Sequence, residues 1–346
     1  MPPIEEYEKY LEKIWENRYL TNEGPLVQEL KQELSKYLKI ENVNLVTNGT
    51  LAIQLAVKAL GIDSGEIITT PFTYVATISS IIWERCTPVF VDIDKETLCI
   101  NANKIEEAIT PNTKAILGVH VYGIPCDVEK IDEIAKKHNL KVIYDGAHAF
   151  GSIYKGKSLL SYGDVTTCSF HATKVFHTIE GGACFSKTKE IDEKIQALKT
   201  FGEVDGKEKK IGINAKLTEF NAAMGLANLK YINEVIEKRK TISELYDELL
   251  EGRIQKPKIP KDLIQNYIYY PVIFKDEEET LDIIRKLNEN EIYPRRYFYP
   301  SLNKKDFLSN IKECPISEDI SKRIICLPLY PELSLEDVRK ICDIIK

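Results

Sequence analysis

A lysine that lies among small hydroxyl residues is the strongest candidate for a catalytic residue in this sequence. The run 167–183 contains Ser169, Thr173, Lys174 and the pair Gly181–Gly182. A buried lysine loses its proton more easily than one in water, and its amine can then attack a carbonyl carbon. The hydroxyls can bind phosphate oxygens, and the glycines allow close backbone approach to a bulky ligand. The alternative is a surface lysine on an ordinary loop, which is the commoner place for a lysine.

Two other segments place polar residues directly after strand-like runs. Asn48-Gly49-Thr50 lies between an apolar run at 43–46 and a helical pattern at 51–60. Free N–H groups at a helix N-terminus bind phosphate, but the same residues also serve as a plain turn and N-cap. Asp145 ends the apolar run 140–144, where a carboxylate needs a cationic partner. It either caps a helix or holds a proton on a pyridinium nitrogen, which makes that ring an electron sink.

The elements around these residues predict an α/β fold. Short apolar strands alternate with helices through the first two thirds of the chain, which is typical of a mostly parallel sheet with helices on both faces. The predicted strands are 43–46, 66–71, 88–94, 114–121 and 140–144, and the predicted helices are 4–20, 26–38, 51–60, a helix ending at 83, 103–109 and 128–138. Ligands bind beyond the carboxyl ends of such strands, where Thr50, Tyr74 and Asp145 fall.

The last third of the chain has a different pattern. After a long helix that ends near Leu250, a basic, proline-bearing segment at 253–261 looks like a linker. We predict a strand at 267–274, a helix at 277–289, a strand that begins within 294–300 and a final helix at 335–345. The sequence therefore predicts a large domain at 1–235 and a smaller C-terminal α/β domain with antiparallel character at 236–346.

Composition excludes several classes of protein. The formal net charge is −6 and no stripe of Lys and Arg is present, which argues against binding to nucleic acid. Eight cysteines without CxxC pairs or a His cluster indicate buried thiols, and we expect neither disulfides nor a metal site. No signal peptide or bilayer-spanning stretch is apparent, so we expect a cytoplasmic protein with no membrane segment. The absence of a G-x-G-x-x-G turn counts against a nicotinamide-dependent dehydrogenase.

The ordered combination of motifs resembles the DegT/DnrJ/EryC1/StrS sugar aminotransferases. The resemblance runs through nearly the whole chain, over Gly24-Pro25, Asn48-Gly49-Thr50, the run 71–77, Asp145-Gly146-Ala147-His148-Ala149, the run 169–182 and Leu327-Pro328-Leu329-Tyr330-Pro331. It implies an aspartate-aminotransferase-like fold of type I, with a sheet of the seven-stranded kind between helices. It also implies pyridoxal 5′-phosphate (PLP, or PMP in its amine form) as the cofactor.

The same resemblance implies roles for individual residues. Lys174 would carry the cofactor covalently and shuttle a proton, and Asp145 would pair with the pyridine nitrogen. One ring face would stack on Tyr74 and the other would lie against Ala147. Gly49, Thr50 and Ser169 would bind the cofactor phosphate. Asn214 of a neighbouring subunit would complete the phosphate site. This implies a homodimer with shared active sites. Gly146 departs from a common alanine, and Ala215-Lys216 replace a Tyr-Arg pair, which leaves the contact around Asn214 less firmly assigned.

Within the family, the runs 169–178, 212–216 and 295–302 look most like enzymes that make dTDP-4-amino-4,6-dideoxyglucose for O-antigen and other surface polysaccharides. The implied substrates are L-glutamate and dTDP-4-keto-6-deoxyglucose. Arg295 and Arg296 could bind a diphosphate or a carboxylate, or be solvated charges at a strand edge. We also assign Tyr297 to substrate binding, and His171 and His177 either line the sugar pocket or are packed structural histidines. The alternatives are a 3-aminotransferase, a 4-aminotransferase for a GDP- or UDP-linked sugar, and a PLP-binding protein without turnover.

Overall fold

Fourteen strands and eleven α-helices make up the part of the chain that the computed structural model describes, residues 1–306, 308 and 312–346. The strands are β1 (Val43–Val46), β2 (Gly65–Thr69), β3 (Cys86–Phe90), β4 (Thr113–Val119), β5 (Lys141–Asp145), β6 (Ile153–Tyr154), β7 (Lys157–Ser158), β8 (Val165–Ser169), β9 (Gly182–Ser186), β10 (Glu203–Val204), β11 (Lys207–Glu208), β12 (Leu263–Ile264), β13 (Tyr270–Ile273) and β14 (Ile324–Leu327). The helices are α1 (Ile4–Asn17), α2 (Pro25–Leu38), α3 (Gly49–Ala59), α4 (Val75–Trp83), α5 (Val128–His138), α6 (Lys189–Lys199), α7 (Glu219–Leu229), α8 (Ile232–Leu249), α9 (Glu277–Glu289), α10 (Pro315–Arg323) and α11 (Leu335–Ile345).

A seven-stranded sheet with the order β1-β9-β8-β5-β4-β2-β3 carries the candidate site. The pairs β3/β2, β2/β4, β4/β5 and β5/β8 are parallel, whereas β9 is antiparallel to both β8 and β1. Asp145 and Ser169 are the last residues of β5 and β8, and Val46 ends β1. These carboxyl ends lie at one edge of the sheet. The prediction of a mostly parallel α/β sheet is confirmed.

Two buried carboxylates cap helices that lie far from them in the sequence. Glu219 accepts hydrogen bonds from the backbone N–H groups of Leu26 (2.8 Å) and Val27 (2.9 Å) at the start of α2. Asp92, just after β3, accepts from Ile316 and Ser317 at the start of α10, both at 2.9 Å. Each carboxylate satisfies N–H groups that the helix itself leaves free, so each fixes a helix onto the sheet domain.

Three large clusters of buried hydrophobic residues form the core. Two pack around the seven-stranded sheet, and the third joins α8, α9 and α11 to the antiparallel pair β13 and β14. The predicted boundary at residue 235 falls inside α8, and the division into two domains stays a prediction. All eight cysteines lie in the described part of the chain as buried free thiols, as predicted. No helix there is long and apolar enough to span a bilayer.

Two predicted elements differ from the structure. Instead of one helix at 103–109, the chain makes two short 3-10 turns, at 102–104 and 106–108. The predicted strand at 294–300 is wrong, because only Arg295 pairs with a neighbour, Cys326. Prolines at 294 and 300 cannot donate ladder hydrogen bonds, and the chain turns between them toward the sheet edge. The sequence analysis also missed β8, α10 and β14.

Candidate active site

A cavity of about 270 Å³ opens at the carboxyl ends of β5 and β8. It gathers side chains from segments that are far apart in sequence. The predicted site residues that line it are Gly49, Thr50, Tyr74, Asp145, Ala147, Ser169, His171, Lys174 and Tyr297. The sheet therefore brings together most of the residues predicted for the site, and Thr173, whose hydroxyl was also considered for phosphate binding, lines the same cavity.

The corner next to the N-terminus of α3 is suited to an anion. Asn48 caps this helix, because its side chain accepts a hydrogen bond from the N–H of Leu51 at 2.9 Å. A Cβ added at Gly49 would lie 2.9 Å from Cβ of Ser169, so glycine is needed for this close approach. The two interpretations of Asn48-Gly49-Thr50, as an N-cap and as a phosphate site, are therefore compatible in one structure.

Asp145 is buried at the end of β5, and both of its carboxylate oxygens have partners. Oδ1 accepts from the N–H of Ala147 at 3.0 Å, and Oδ2 accepts from Thr77 Oγ1 at 2.7 Å. Thr77 is itself buried and lies 2.8 Å from the hydroxyl of Thr73. These hydrogen bonds fix the carboxylate at the cavity wall. Asp145 is not a helix cap here, because no helix begins in the residues that follow it.

Lys174 follows the turn after β8, and its side chain enters the cavity. Its backbone N–H donates to the carbonyl oxygen of His171 at 2.9 Å, which closes that turn. Burial lowers the pKa of the Lys174 amine below its ordinary value, and the nearby Asp145 carboxylate opposes the shift. An amine with a lowered pKa is a better nucleophile and base at neutral pH, because more of it is uncharged.

Aromatic rings form one wall of the cavity. His148 lies parallel to Phe298, with centroids 5.8 Å apart, and meets Tyr269 edge-on at 4.9 Å. Its Nδ1 accepts from the N–H of Tyr122 at 3.2 Å. Burial first, and then the Lys174 charge, lower the pKa of His148 well below its ordinary range. The ring is therefore neutral at physiological pH and has its proton on Nε2.

The cavity mouth is polar and partly exposed. His171 Nδ1 lies 2.9 Å from Thr173 Oγ1 and accepts from the Thr173 N–H at 3.2 Å. Its other ring nitrogen, Nε2, lies 3.5 Å from a carboxylate oxygen of Glu180. Tyr74 stands at the same mouth with 60% of its surface exposed. This arrangement leaves several hydrogen-bonding groups free to meet a ligand from solvent.

Four predicted site residues lie outside the described lining. His177 packs against Asn228, which donates to its carbonyl oxygen at 2.9 Å, and burial lowers the pKa of His177 to about 4. Arg296 stacks over Tyr299 at 3.5 Å and donates to the Lys322 carbonyl at 3.0 Å. The other two, Arg295 and Asn214, are exposed. His177 and Arg296 thus have structural partners in this chain.

Four more residues line the cavity without a predicted site role, namely His148, Glu180, Tyr269 and Phe298. His148 could have been found, because it lies three residues after Asp145 in the same turn. Phe298 lies beside the predicted Tyr297. Tyr269 had no local signal, since only the tertiary fold brings the start of β13 to the end of β5.

The side chains present fit PLP. An amine, Lys174, faces the same cavity as a fixed carboxylate, Asp145, which suits a reactive aldehyde carbon and a protonated ring nitrogen. The anion corner at Gly49 and Ser169 suits a phosphate group. The aromatic and aliphatic lining between them suits a planar ring. Gly146 departs from the family pattern for a packing reason, because an added Cβ would lie 2.7 Å from Leu160 Cδ2.

Comparison with known proteins agrees with this geometry. A sequence profile of the DegT/DnrJ/EryC1/StrS aminotransferase family matches residues 3–346. A dTDP-4-amino-4,6-dideoxy-D-glucose transaminase of Shigella dysenteriae is 42% identical over 356 aligned residues, covering 100% of this chain and 96% of the relative. A GDP-perosamine synthase of Escherichia coli O157:H7 is 34% identical, with 97% of this chain and 93% of the relative covered.

Solved structures show the same fold. DesI, crystallised with its TDP-sugar product, has a TM-score of 0.94 and 29% identity, covering 100% of this chain and 90% of that one. Spr1654 of Streptococcus pneumoniae in its PLP form has a TM-score of 0.92 and 27% identity, covering 100% and 96%. It has also been solved in a PMP form. The chain therefore belongs to the DegT/DnrJ/EryC1/StrS aminotransferase family and is a sugar aminotransferase that depends on pyridoxal phosphate.

Proposed function

We propose that the protein transfers the amino group of L-glutamate to C4 of dTDP-4-keto-6-deoxyglucose. The product is dTDP-4-amino-4,6-dideoxyglucose, a precursor for O-antigen or another surface polysaccharide. The observation that carries this proposal is the 42% identity, over the whole chain, to the Shigella dysenteriae transaminase named for that product. The cavity supports it, because the rings of Tyr269, Tyr297 and Phe298 offer an apolar surface to a deoxygenated sugar.

Asp145 would hold the proton on the cofactor's pyridine nitrogen. Bound PLP supplies a conjugated ring that accepts electrons from the carbon bearing the transferred nitrogen. The carboxylate can do this because the Thr77 hydroxyl and the Ala147 N–H fix its orientation. Its negative charge, held in a buried place, stabilises a protonated ring nitrogen.

Lys174 would move the proton that amino transfer requires. In the first half-reaction its Nζ would take the proton from Cα of glutamate, and in the second it would deliver a proton to C4 of the sugar. Burial favours this role, since it lowers the pKa of the amine. Gly49, Thr50 and Ser169 would hold the phosphate, and Tyr74 and Ala147 would contact the two ring faces.

We also propose that a second copy of the chain completes the site. Asn214 is exposed, and the neighbouring side chains of Phe201, Ile211 and Ile213 are 54%, 95% and 42% exposed. Exposed apolar side chains in one segment are typical of an interface. A homodimer would bury them and bring Asn214 to the partner's phosphate corner. Light scattering of the wild-type chain and of Ile211→Asp tests this: we expect a dimer that the substitution weakens, and a wild-type monomer would contradict it.

The experiment for the substrate is product identification. The full-length protein with PLP is incubated with L-glutamate and dTDP-4-keto-6-deoxyglucose, and the product is examined by NMR and mass spectrometry. We expect an amine at C4 and an equal amount of 2-oxoglutarate. A parallel reaction with GDP-4-keto-6-deoxymannose tests the second candidate, which the 34% identity to a GDP-perosamine synthase favours.

Each result has a direct meaning. A higher kcat/KM for the dTDP sugar supports the proposal. A higher kcat/KM for the GDP sugar would replace the proposed nucleotide. Turnover of a 3-keto-6-deoxy sugar nucleotide, with neither 4-keto sugar aminated, would reject the proposed carbon while keeping the family activity.

A further inference from the structure

Arg239 is a buried cation on α8 whose hydrogen bonds all go to backbone carbonyls. It is 8% exposed, and Nη1 donates to the carbonyl oxygens of Leu329 (2.8 Å), Ile268 (3.2 Å) and Tyr267 (3.5 Å). No salt bridge among the described residues involves Arg239, and burial lowers its pKa to about 10. Burying a guanidinium is costly, so these carbonyl contacts must hold something that the fold needs in place.

Asn266 also binds this segment, and it links it to a second part of the chain. It is 1% exposed, and its Nδ2 donates to the carbonyl oxygens of His148 (2.8 Å) and Phe150 (2.7 Å). Its Oδ1 accepts from the N–H of Ile268 at 3.1 Å. This amide therefore ties the segment to the turn that follows Asp145. Since His148 lies in the cavity wall, the tie reaches the candidate active site directly.

The segment between these two side chains is strained. Tyr267 has a φ of 50°, in the left-handed region that a tyrosine rarely adopts. A residue in this region is destabilising by itself and persists only where the surroundings hold it. Its carbonyl accepts from Arg239, and the next N–H donates to Asn266. Both bonds hold the single peptide group between Tyr267 and Ile268, which directly follows the strained residue.

Tyr269 lies two residues after Tyr267 and belongs to the cavity wall. Its ring meets His148 edge-on at 4.9 Å and Tyr297 at 5.3 Å. The Nζ of Lys174 lies 6.0 Å from the centroid of the same ring. The Tyr269 ring is therefore one of the groups that surround the Lys174 amine.

We propose that Arg239 and Asn266 form a clamp that positions Tyr269 over the amine of Lys174. Neither residue of the clamp lines the cavity, so both are positioning residues for amino transfer. The inference rests on the family activity and on the proposed role of Lys174, but not on the identity of the sugar. The proposal predicts that a substitution at Arg239 or Asn266 changes the environment of the Lys174 amine, although neither residue lines the cavity.

The test measures that amine in the full-length chain freed of cofactor. Lys174 is acylated with acetic anhydride over a range of pH, and the modified peptide is quantified by mass spectrometry. The midpoint is the pH at which the rate of acylation of Lys174 is half of its maximum. Tyr269→Ala provides the reference, because it removes the ring and admits water. We expect it to raise the midpoint, since burial lowers the pKa of Lys174 in the native chain.

The clamp variants should reproduce that shift. We expect Arg239→Met and Asn266→Ala to raise the midpoint by at least about half as much as Tyr269→Ala does, and Arg239→Lys to restore part of the difference. The matched control is Tyr246→Phe, which removes another hydrogen bond of α8, from Tyr246 Oη to the Pro328 carbonyl at 3.0 Å. This control should leave the midpoint unchanged, because it does not touch the segment before Tyr269.

Three outcomes would overturn the proposal. The first is a folded Arg239→Met or Asn266→Ala chain with the wild-type midpoint. The second is a Tyr269→Ala chain with the wild-type midpoint. The third is a shift of the midpoint in Tyr246→Phe as large as that in the clamp variants. If Arg239→Met does not fold, the midpoints of Arg239→Lys and Asn266→Ala decide the matter. Acylation needs neither donor nor sugar, so these results are independent of whether the dTDP substrate is correct.

Discussion

The floor and the mouth of the cavity are built in different ways. The floor, defined here as Gly49, Asp145, Ser169 and Lys174, comes from the ends of neighbouring strands and the turns after them, and its carboxylate is buried and fully hydrogen-bonded. The mouth, defined as Tyr74, His171, Glu180 and Tyr297, comes from loops and is partly exposed. A sheet edge fixes positions closely, whereas loops tolerate change. We infer that the floor sets the reaction and the mouth sets the substrate.

The largest effect is expected for the amine of the floor. Lys174→Ala removes both the covalent attachment point and the proposed proton carrier, so we expect the rate of amino transfer to fall by at least about 10³-fold. Formation of 2-oxoglutarate in a single turnover measures it. Lys141→Ala, an exposed lysine at the start of β5, is the matched control and should keep the wild-type rate. Wild-type activity in Lys174→Ala would show that the floor is wrongly assigned.

Asp145→Asn should be nearly as damaging to the reaction but much less to the fold. The amide can still accept from the Ala147 N–H, but it no longer carries the charge that would hold a proton on the ring nitrogen. We expect the glutamate half-reaction to slow by about 10²-fold or more, with a melting temperature within a few degrees of wild type. The control is Asp164→Asn, at the other end of β5, where the carboxylate accepts from the Val142 N–H at 2.9 Å. Equal rates in Asp145→Asn and Asp164→Asn would contradict the electrostatic role proposed for Asp145.

At the mouth, a substitution should change substrate binding more than catalysis. His171→Ala removes a half-exposed side chain whose contacts are worth about 1 kcal/mol, so we expect KM for the sugar nucleotide to rise about fivefold. The kcat should stay within about threefold of wild type, because the floor is intact. Steady-state kinetics with varied sugar separate the two parameters. The control is His138→Ala, which removes a partly exposed histidine that lies 2.8 Å from Glu106. A loss in kcat alone would place His171 with the floor.

The last expected effect is on stability against acid and not on the reaction. The backbone N–H of His120 donates to the Asp145 carbonyl, and burial lowers the pKa of its ring from 6.5 to about 3. Between about pH 3 and pH 6.5, the ring of His120 therefore binds a proton in the unfolded chain but not in the folded chain. Stability is full above pH 6.5 and falls as the pH drops, by up to about 1.4 kcal/mol per pH unit. His120→Phe should reduce the slope of unfolding free energy against pH, measured by urea denaturation between pH 6.5 and 4.5. An unchanged slope would assign the acid sensitivity to other groups.

Part of the floor could be predicted from local patterns, because Asp145 directly follows an apolar run and Gly49 opens a helix. Asp145 after β5 and Asn48-Gly49-Thr50 before α3 are local signals of this kind. Lys174 was found from its neighbours, and the family resemblance then gave it a role.

The mouth and the aromatic wall were harder to predict, since their positions depend on tertiary packing. Arg296 was expected near the substrate, but it stacks on Tyr299 and binds carbonyl groups of the segment around Lys322. Tyr269 reaches the cavity only because residues of α8 and of the turn after β5 hold the segment before it. No local pattern records such long-range contacts, which is why the clamp was not visible in the sequence.

The most direct test of this account is an absorbance spectrum of the purified full-length protein with PLP. We predict a visible band from cofactor bound to Lys174, its loss when L-glutamate is added, and its return when dTDP-4-keto-6-deoxyglucose follows. A band that is lost with glutamate but does not return with the sugar would support the role of the floor and reject the proposed sugar substrate. A protein that shows no band with PLP, or a band that glutamate leaves unchanged, would contradict the central claim.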